Sequence, residues 1–167
     1  MSSDRFWLTA DPEGTQSVAE TLGRVARAGD LLLLEGPLGA GKTCFVQGFA
    51  RGLGVKTPVK SPTFVLVTQH HGRVPLTHVD LYRIESTGSL DDLGLEERRE
   101  GAVLAVEWGE KLAQRLDDGL RMVIEENRNG TRTLTPTALG PRGREWLLDY
   151  DRASGLVAAR AARERRP

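Results

Sequence analysis

The run Gly36-Pro37-Leu38-Gly39-Ala40-Gly41-Lys42-Thr43 fits the pattern G-x-x-x-x-G-K-[ST] at every fixed position. Glycines let the backbone curl so that successive N–H groups point at phosphate oxygens. Lys42 supplies a cation for the β- and γ-phosphates, and the Thr43 hydroxyl is a hard oxygen ligand for Mg²⁺. The run therefore predicts a phosphate-binding loop for a nucleoside triphosphate and Mg²⁺.

Two acidic residues follow apolar segments and are candidates to hold the metal ion. Asp80 ends the extended segment 74–80, and Glu107 follows the more apolar segment 102–106. In open α/β sheets, ligands bind at the carboxyl ends of the strands, where both acids are expected. The pattern alone does not decide which carboxylate contacts Mg²⁺.

Other residues near these segments have both a functional and an ordinary interpretation. Ser61-Pro62-Thr63 is either a switch loop that senses the γ-phosphate or a simple turn before a strand. Trp108 either stacks on a ligand or lies in the core, and Cys44 is either a reactive thiol at a helix start or a half-buried filler. Guanine-specifying Asn-Lys-x-Asp is absent, which favours ATP over GTP.

The elements around the loop indicate an α/β fold. The apolar run 31–34 predicts a buried strand, and Phe45, Phe49 and Leu53 share one face of a predicted helix. A further helix is predicted from Asp11 onward. The remaining predicted elements are strands at 64–69, 74–80, 103–107, 120–125 and 132–138 and a helix over 109–116. We therefore predict a P-loop NTPase-type three-layer fold with a mixed parallel and antiparallel sheet.

Composition excludes several classes of protein. The chain has 167 residues, one cysteine and no long apolar run, which argues against disulfides, a zinc site and a membrane span. The polar N-terminus lacks a signal-peptide core, so a cytoplasmic location is expected. The net charge of zero is the sum of −3 over residues 1–141 and +3 over residues 142–167. We predict an ATPase domain over 1–150 and a basic helix or tail over 151–167.

Four segments together resemble the TsaE family, small bacterial ATPases of tRNA threonylcarbamoyladenosine biosynthesis. They are the phosphate loop, Lys60-Ser61-Pro62-Thr63-Phe64, His78-Val79-Asp80-Leu81-Tyr82-Arg83, and Glu107-Trp108. The resemblance covers about residues 7–140. It implies Mg²⁺-dependent ATP hydrolysis that is slow alone and stimulated by the partner proteins TsaB and TsaD. Contact with tRNA would be indirect, through that complex.

The resemblance also implies roles for individual residues. Thr43 and Glu107 would be Mg²⁺ ligands, with Asp80 near the metal and the attacking water. Ser61 and Thr63 would belong to a switch segment. Trp108 would lie beside the nucleotide, and Arg132 would approach it from a C-terminal hairpin. Pro37 departs from the aspartate that is usual in the family. The main alternative is a small-molecule kinase on the same fold, although residues 84–101, the only insertion available for a lid, are acidic.

Overall fold

The computed structural model describes residues 5–62, 64, 66–112 and 115–155. The strands within these residues are β1 (Trp7–Thr9), β2 (Leu31–Glu35), β3 (Val67–His70), β4 (Leu76–Asp80), β5 (Val103–Glu107), β6 (Leu120–Glu126) and β7 (Arg132–Ala138). The helices are α1 (Pro12–Arg24), α2 (Lys42–Gly52), α3 (Thr87–Asp91), α4 (Leu95–Arg99), α5 (Pro141–Ala153) and a 3₁₀ helix (Gly109–Leu112).

The strands form one mixed sheet in the order β1-β7-β6-β2-β5-β4-β3. The central strands β6, β2, β5 and β4 are parallel. The outer pairs β1–β7, β6–β7 and β3–β4 are antiparallel. Because β2 lies in the middle of the parallel region, the loop that follows it opens at the carboxyl edge of the sheet. The predicted mixed α/β sheet is confirmed.

Alternation along the buried strands divides the core into two layers. Leu32 and Leu34 pack on one face with α1, α2 and α5, whereas Leu31 and Leu33 pack on the other face with residues from α3, α4 and the 3₁₀ helix. Successive strand residues point to opposite faces, so an unbroken leucine run serves both layers. The predicted three-layer arrangement follows from this alternation.

Helix α1 begins as the sequence predicts, and it packs unusually closely on α2. The Asp11 side chain accepts a hydrogen bond from the Gly14 N–H at 2.7 Å, which caps the helix. At the α1–α2 contact, a Cβ added to Gly48 would lie 2.4 Å from the Gln16 carbonyl oxygen, and one added to Gly52 would lie 2.1 Å from the Glu20 carbonyl oxygen. The glycines of α2 therefore allow the two helix backbones to touch.

Helix α5 is an element that the sequence analysis did not place. It begins at Pro141, buries Trp146 completely, and continues through the predicted domain boundary after residue 150. Arg142 fixes its start, because its Nε donates to Asp30 Oδ1 at 2.7 Å and its second nitrogen donates to Oδ2 at 2.8 Å. Residues 156–167 lie outside the described part of the chain, so the basic tail stays a prediction.

Other elements differ from expectation in extent. Strand β1 was not predicted, and β3 begins only at Val67. The predicted helix over 109–116 is observed as a 3₁₀ helix over Gly109–Leu112, and residues 113 and 114 lie outside the described part of the chain. None of the helices built from the described residues is long and apolar enough to cross a membrane.

Candidate nucleotide site

The phosphate loop lies where β2 ends and α2 begins. Gly36, Gly39 and Gly41 have φ angles of 149°, 80° and 113°, values that side chains other than glycine rarely adopt. A Cβ at Gly39 or Gly41 would meet no protein atom within 4 Å, so open space borders the loop at these two positions. The Gly41 carbonyl accepts the Phe45 N–H at 2.9 Å and starts α2. The loop thus presents the positive end of α2 to an anion.

Lys42 is folded back onto the loop itself. Its Nζ donates to the carbonyl oxygens of Gly36 and Pro37 at 2.6 and 2.9 Å and lies 4.0 Å from the centre of the Trp108 ring. Burial lowers the pKa of the Lys42 ammonium, and the negative charges of Glu107, Glu110 and Asp80 oppose that shift. The cation is held close to the loop, within a flexible side chain's reach of a bound phosphate.

Glu107 connects the sheet to the loop. It is 3% exposed, and its Oε1 accepts a hydrogen bond from the Thr43 hydroxyl at 2.8 Å. Val103 and Ala105 belong to the core layer of α2, so Glu107, two residues further along β5, faces that layer as well. The structure therefore brings together these two sequence-predicted metal ligands.

Asp80 lies on β4 directly opposite Glu107 in the parallel register. One carboxylate oxygen accepts the Ser61 hydroxyl at 3.1 Å, and the other accepts the backbone N–H of Tyr82 at 2.9 Å. The predicted switch residue Ser61 is thus joined to the second acid of the site. Thr63, the other predicted switch residue, lies outside the described residues.

Trp108 follows Glu107 in a conformation that is uncommon outside glycine. Its φ angle is 60°, which turns the chain sharply after β5. The ring lies over the Lys42 ammonium and packs on Tyr82, with ring centres 5.0 Å apart. Sparsely populated backbone conformations cluster at functional sites, where the surrounding structure holds them. Trp108 is half-buried, and it packs against the core layer of α3, α4 and the 3₁₀ helix as well as lying over Lys42.

Arg132 contacts the loop from the opposite side. Its Nε donates to the Ala40 carbonyl at 2.9 Å, and its guanidinium also pairs with Glu126 at 3.2 Å. The side chain therefore supports the loop backbone from β7. This contact places Arg132, as a predicted site residue, against the backbone of the phosphate loop.

The donor set fits Mg²⁺ bound together with a nucleotide. Mg²⁺ prefers hard oxygen ligands and is usually held by one or two carboxylates, water and substrate phosphates rather than by a complete protein cage. Thr43, Glu107 and Asp80 supply such oxygens beside the loop. The described residues contain no group of three or more His, Cys, Asp and Glu side chains that could hold a metal ion.

Cys44 does not have the environment of a reactive thiol. Partial burial raises the pKa of its thiol, and this outweighs the opposing hydrogen bond from Gln16. The thiol lies 3.7 Å from the Pro12 carbonyl oxygen at the start of α1. The structure favours the half-buried filler over the redox switch.

Sequence reasoning missed His78 and Tyr82 as parts of this site. His78 lies in the same strand as Asp80 and two residues before it, so both side chains face the loop. That period-two relation was the available signal. Its Nε2 lies 2.6 Å from Glu107 Oε2.

Comparison with known proteins places these features in a family. Residues 9–134 match the family model described as "Threonylcarbamoyl adenosine biosynthesis protein TsaE". The chain is 42% identical over 139 residues to a protein of Bacillus subtilis named tRNA threonylcarbamoyladenosine biosynthesis protein TsaE, a match that covers 81% of this chain and 87% of that protein. A protein of the same name from Treponema pallidum is 41% identical over 130 residues, covering 74% and 96% of the two chains.

A solved structure shares the fold. The crystal structure of Bacillus subtilis YdiB superimposes with a TM-score of 0.78 at 34% sequence identity, covering 92% of this chain and 98% of that one.

Proposed function

The chain belongs to the TsaE family of threonylcarbamoyl adenosine biosynthesis proteins, and on that premise we propose that it is a Mg²⁺-dependent ATPase. It acts with TsaB and TsaD in forming threonylcarbamoyladenosine on tRNA. The observation that carries the proposal is the 2.8 Å hydrogen bond between Thr43 of the loop and Glu107 of the neighbouring strand. A phosphate loop joined to a buried carboxylate is an arrangement suited to a metal–nucleotide complex.

The chain's own residues have separate tasks in this proposal. The loop backbone binds the phosphates, and Lys42 leaves the carbonyls of Gly36 and Pro37 to neutralise phosphate charge. Thr43 and Glu107 would hold Mg²⁺. Bound there, the ion would neutralise charge on the β- and γ-phosphate oxygens.

The second acid would position the attacking water. Asp80 would do so from β4. The hydrogen bond between Ser61 and Asp80 would couple the conformation of the switch segment to the occupancy of the site. Trp108 would close the site beside the nucleotide. Its ring already shields the lysine that the phosphates must attract.

The direct test measures ATP turnover by the purified chain, alone and with TsaB and TsaD, together with threonylcarbamoyladenosine formation on tRNA. We expect slow turnover alone and faster turnover with the partners. Glu107→Gln and Asp80→Asn should bind nucleotide but lose about 100-fold or more in turnover. Glu125→Gln, which changes an exposed acid on β6, is the matched control and should leave both activities intact.

Two outcomes would overturn the proposal. Transfer of the γ-phosphate to a metabolite without any partner protein would instead support the small-molecule kinase. Normal tRNA modification by the Glu107→Gln variant, with no stimulated turnover in the unchanged chain, would indicate a nucleotide-gated binding module without meaningful hydrolysis.

A further inference from the structure

His78 is a fully buried imidazole that the proposed ATPase mechanism leaves without a task. The residue is 0% exposed and lies in the centre of β4. Its neighbours on the other face of the strand, Thr77 and Val79, are also buried. A position of this kind usually carries an apolar residue, because burying an imidazole removes two polar nitrogen atoms from water. At this position the imidazole contacts Glu107, with 2.6 Å between His78 Nε2 and Glu107 Oε2.

The contact with Glu107 is short and diagonal across the sheet. In the β4–β5 register, Glu107 lies opposite Asp80, so His78 is its neighbour two residues earlier on the same face. The distance from His78 Nε2 to Glu107 Oε2 is 2.6 Å. Both side chains are buried, and a hydrogen bond to a carboxylate in such surroundings is among the stronger ones in proteins.

Glu107 is consequently held from two sides. Its Oε1 accepts the Thr43 hydroxyl of α2 at 2.8 Å, and its Oε2 accepts the His78 N–H of β4. With both oxygens engaged by different elements, the carboxylate cannot rotate about its terminal bond without losing one partner. The orientation of the acid is therefore set before a ligand arrives.

The second nitrogen of His78 supports this assignment of donor and acceptor. Nδ1 is buried and has no hydrogen-bond partner among the described residues. If Nε2 carries the hydrogen that Glu107 accepts, Nδ1 carries only a lone pair. A buried acceptor without a partner costs less free energy than a buried N–H donor without one. The imidazole is thus placed to serve Glu107 with one nitrogen at the expense of the other.

We propose that His78 is a positioning residue that fixes the Glu107 carboxylate through its Nε2–H and thereby sets the affinity of the nucleotide-loaded site for its divalent cation. This inference rests on the proposed function. Groups that hydrogen-bond to metal ligands typically change metal affinity by about 10- to 100-fold when they are replaced. The hydrogen bond of His78 goes to Glu107 and not to the phosphate loop, so binding of the nucleotide without metal should not depend on His78.

The test uses the full chain, with Mn²⁺ as the spectroscopic probe in place of Mg²⁺. Binding of ADP is measured by calorimetry in a chelator, and binding of Mn²⁺ to the ADP complex is measured by electron paramagnetic resonance. His78→Leu removes the donor. His78→Asn keeps a polar side chain that is too short to reach Glu107. His78→Gln can place an amide N–H near the position of Nε2.

We expect all three variants to bind ADP in the chelator as the unchanged chain does. His78→Leu and His78→Asn should bind Mn²⁺ about 10- to 100-fold more weakly, whereas His78→Gln should stay within a few fold of the unchanged chain. In turnover, the loss should appear as a higher Mg²⁺ requirement and should largely recover at saturating Mg²⁺. Thr77→Val, a buried change on the other face of β4, is the matched control and should alter neither property.

The outcomes separate this inference from the proposed function. If the unchanged chain binds Mn²⁺ with ADP but His78→Leu or His78→Asn binds it equally well, His78 only fills the core and the inference is wrong. An equal loss in His78→Gln and in the other two variants also overturns it, because the hydrogen bond would then not be the cause. If the unchanged chain binds no Mn²⁺ with ADP, both the inference and the proposed metal-dependent ATPase fail.

Discussion

At the scale of single residues, the site is built from side chains that already contact one another before a ligand binds. Lys42 is held by two loop carbonyls and the Trp108 ring. Glu107 is held by Thr43 and His78. The conformational entropy of such side chains is lost during folding, so less of it is lost when a ligand binds. Replacing one residue therefore disturbs its partner as well as its own contact with the ligand.

Lys42→Ala should strongly weaken ATP binding, because the loop Gly36–Thr43 loses its side-chain cation for the phosphates. Losing a charge-assisted contact of this type costs about 2–3 kcal/mol, or about 30- to 150-fold in affinity. Calorimetry with ATP and Mg²⁺ measures it. Lys56→Ala, which removes an exposed lysine just beyond α2, should bind ATP normally. Unchanged affinity in Lys42→Ala would contradict the assignment of the phosphate loop.

Cys44 should react slowly with iodoacetamide at neutral pH. Because partial burial raises the pKa of its thiol, the folded chain holds the proton more tightly and contains less thiolate than free cysteine at the same pH. The alkylation rate should still be rising at a pH where free cysteine has levelled off. Mass spectrometry of samples quenched at set times measures the alkylation rates of Cys44 and of N-acetylcysteine as the reference. If the alkylation rate of Cys44 instead levels off at a lower pH than that of N-acetylcysteine, the thiol pKa is lowered and the redox switch is favoured.

The residues that sequence reasoning identified and those it missed differ in a simple way. The loop and the two acids lie within motifs that are local in sequence, and each could be placed by reading a few adjacent positions. The bond between His78 and Glu107 depends on the register of β4 against β5, and that register is set by packing of the whole sheet. Local patterns carry no information on which diagonal neighbour a strand residue will meet.

At the scale of elements, the position of α2 depends on its contact with α1. Gly48 and Gly52 touch the α1 backbone, and Gly23 of α1 touches the Phe49 carbonyl in return. Since α2 begins with Lys42 and Thr43, any displacement of the helix moves the phosphate loop. The close approach of two backbones thus has a direct bearing on the geometry of the site.

Gly48→Ala should destabilise the fold, because its Cβ would lie 2.4 Å from the Gln16 carbonyl oxygen and the helices must separate. Overpacking of a well-packed contact costs about 1–3 kcal/mol. Urea unfolding should show the loss, and ATP affinity should fall with it. Gly88→Ala in α3, where a Cβ meets nothing within 4 Å, is the control, and we expect a change within about 0.5 kcal/mol. An equal effect of both substitutions would argue against the backbone contact as the cause.

Two elements escaped prediction for physical reasons. Strand β1 has three residues, too few to show a period of two, and it is held largely by β7 and by the packing of Trp7 on Tyr150. Helix α5 begins with Pro141 and contains Gly143, which together look like a loop. Gly143 is required because a Cβ there would lie 2.0 Å from the Gly119 carbonyl oxygen. In both cases contacts distant in sequence determine the structure.

At the scale of the whole molecule, charge is distributed unevenly. Residues 1–141 carry −3 and residues 142–167 carry +3, with Arg160, Arg163, Arg165 and Arg166 in the last stretch. A net charge of −3 over residues 1–141 disfavours tRNA binding by that part of the chain alone, so we expect contact with tRNA through partner proteins. We expect any direct contact with tRNA to involve the arginines of the basic end.

Deleting residues 156–167 should leave the midpoint of thermal unfolding and intrinsic ATP turnover unchanged, because the core clusters of the described residues are built from residues up to Tyr150. The affinity for tRNA at low salt should fall. The slope of log affinity against log salt should decrease by up to about 3–4, since four arginines leave with the deletion. Filter binding over a salt series measures both. If tRNA affinity and its salt dependence stay the same, the arginines of the tail do not contact the phosphates.

The order of strands in the sheet also determines when the central strands can first pair during synthesis of the chain. Strand β2 pairs with residues 104–107 on one side and 120–123 on the other. Both of these segments leave the ribosome long after β2 does. Until then the leucines of β2 have neither neighbour, and an apolar strand with two open edges is prone to pair with other chains. The phosphate loop, although encoded within the first third of the chain, therefore follows a strand that has both neighbours only after residue 123 has been synthesised.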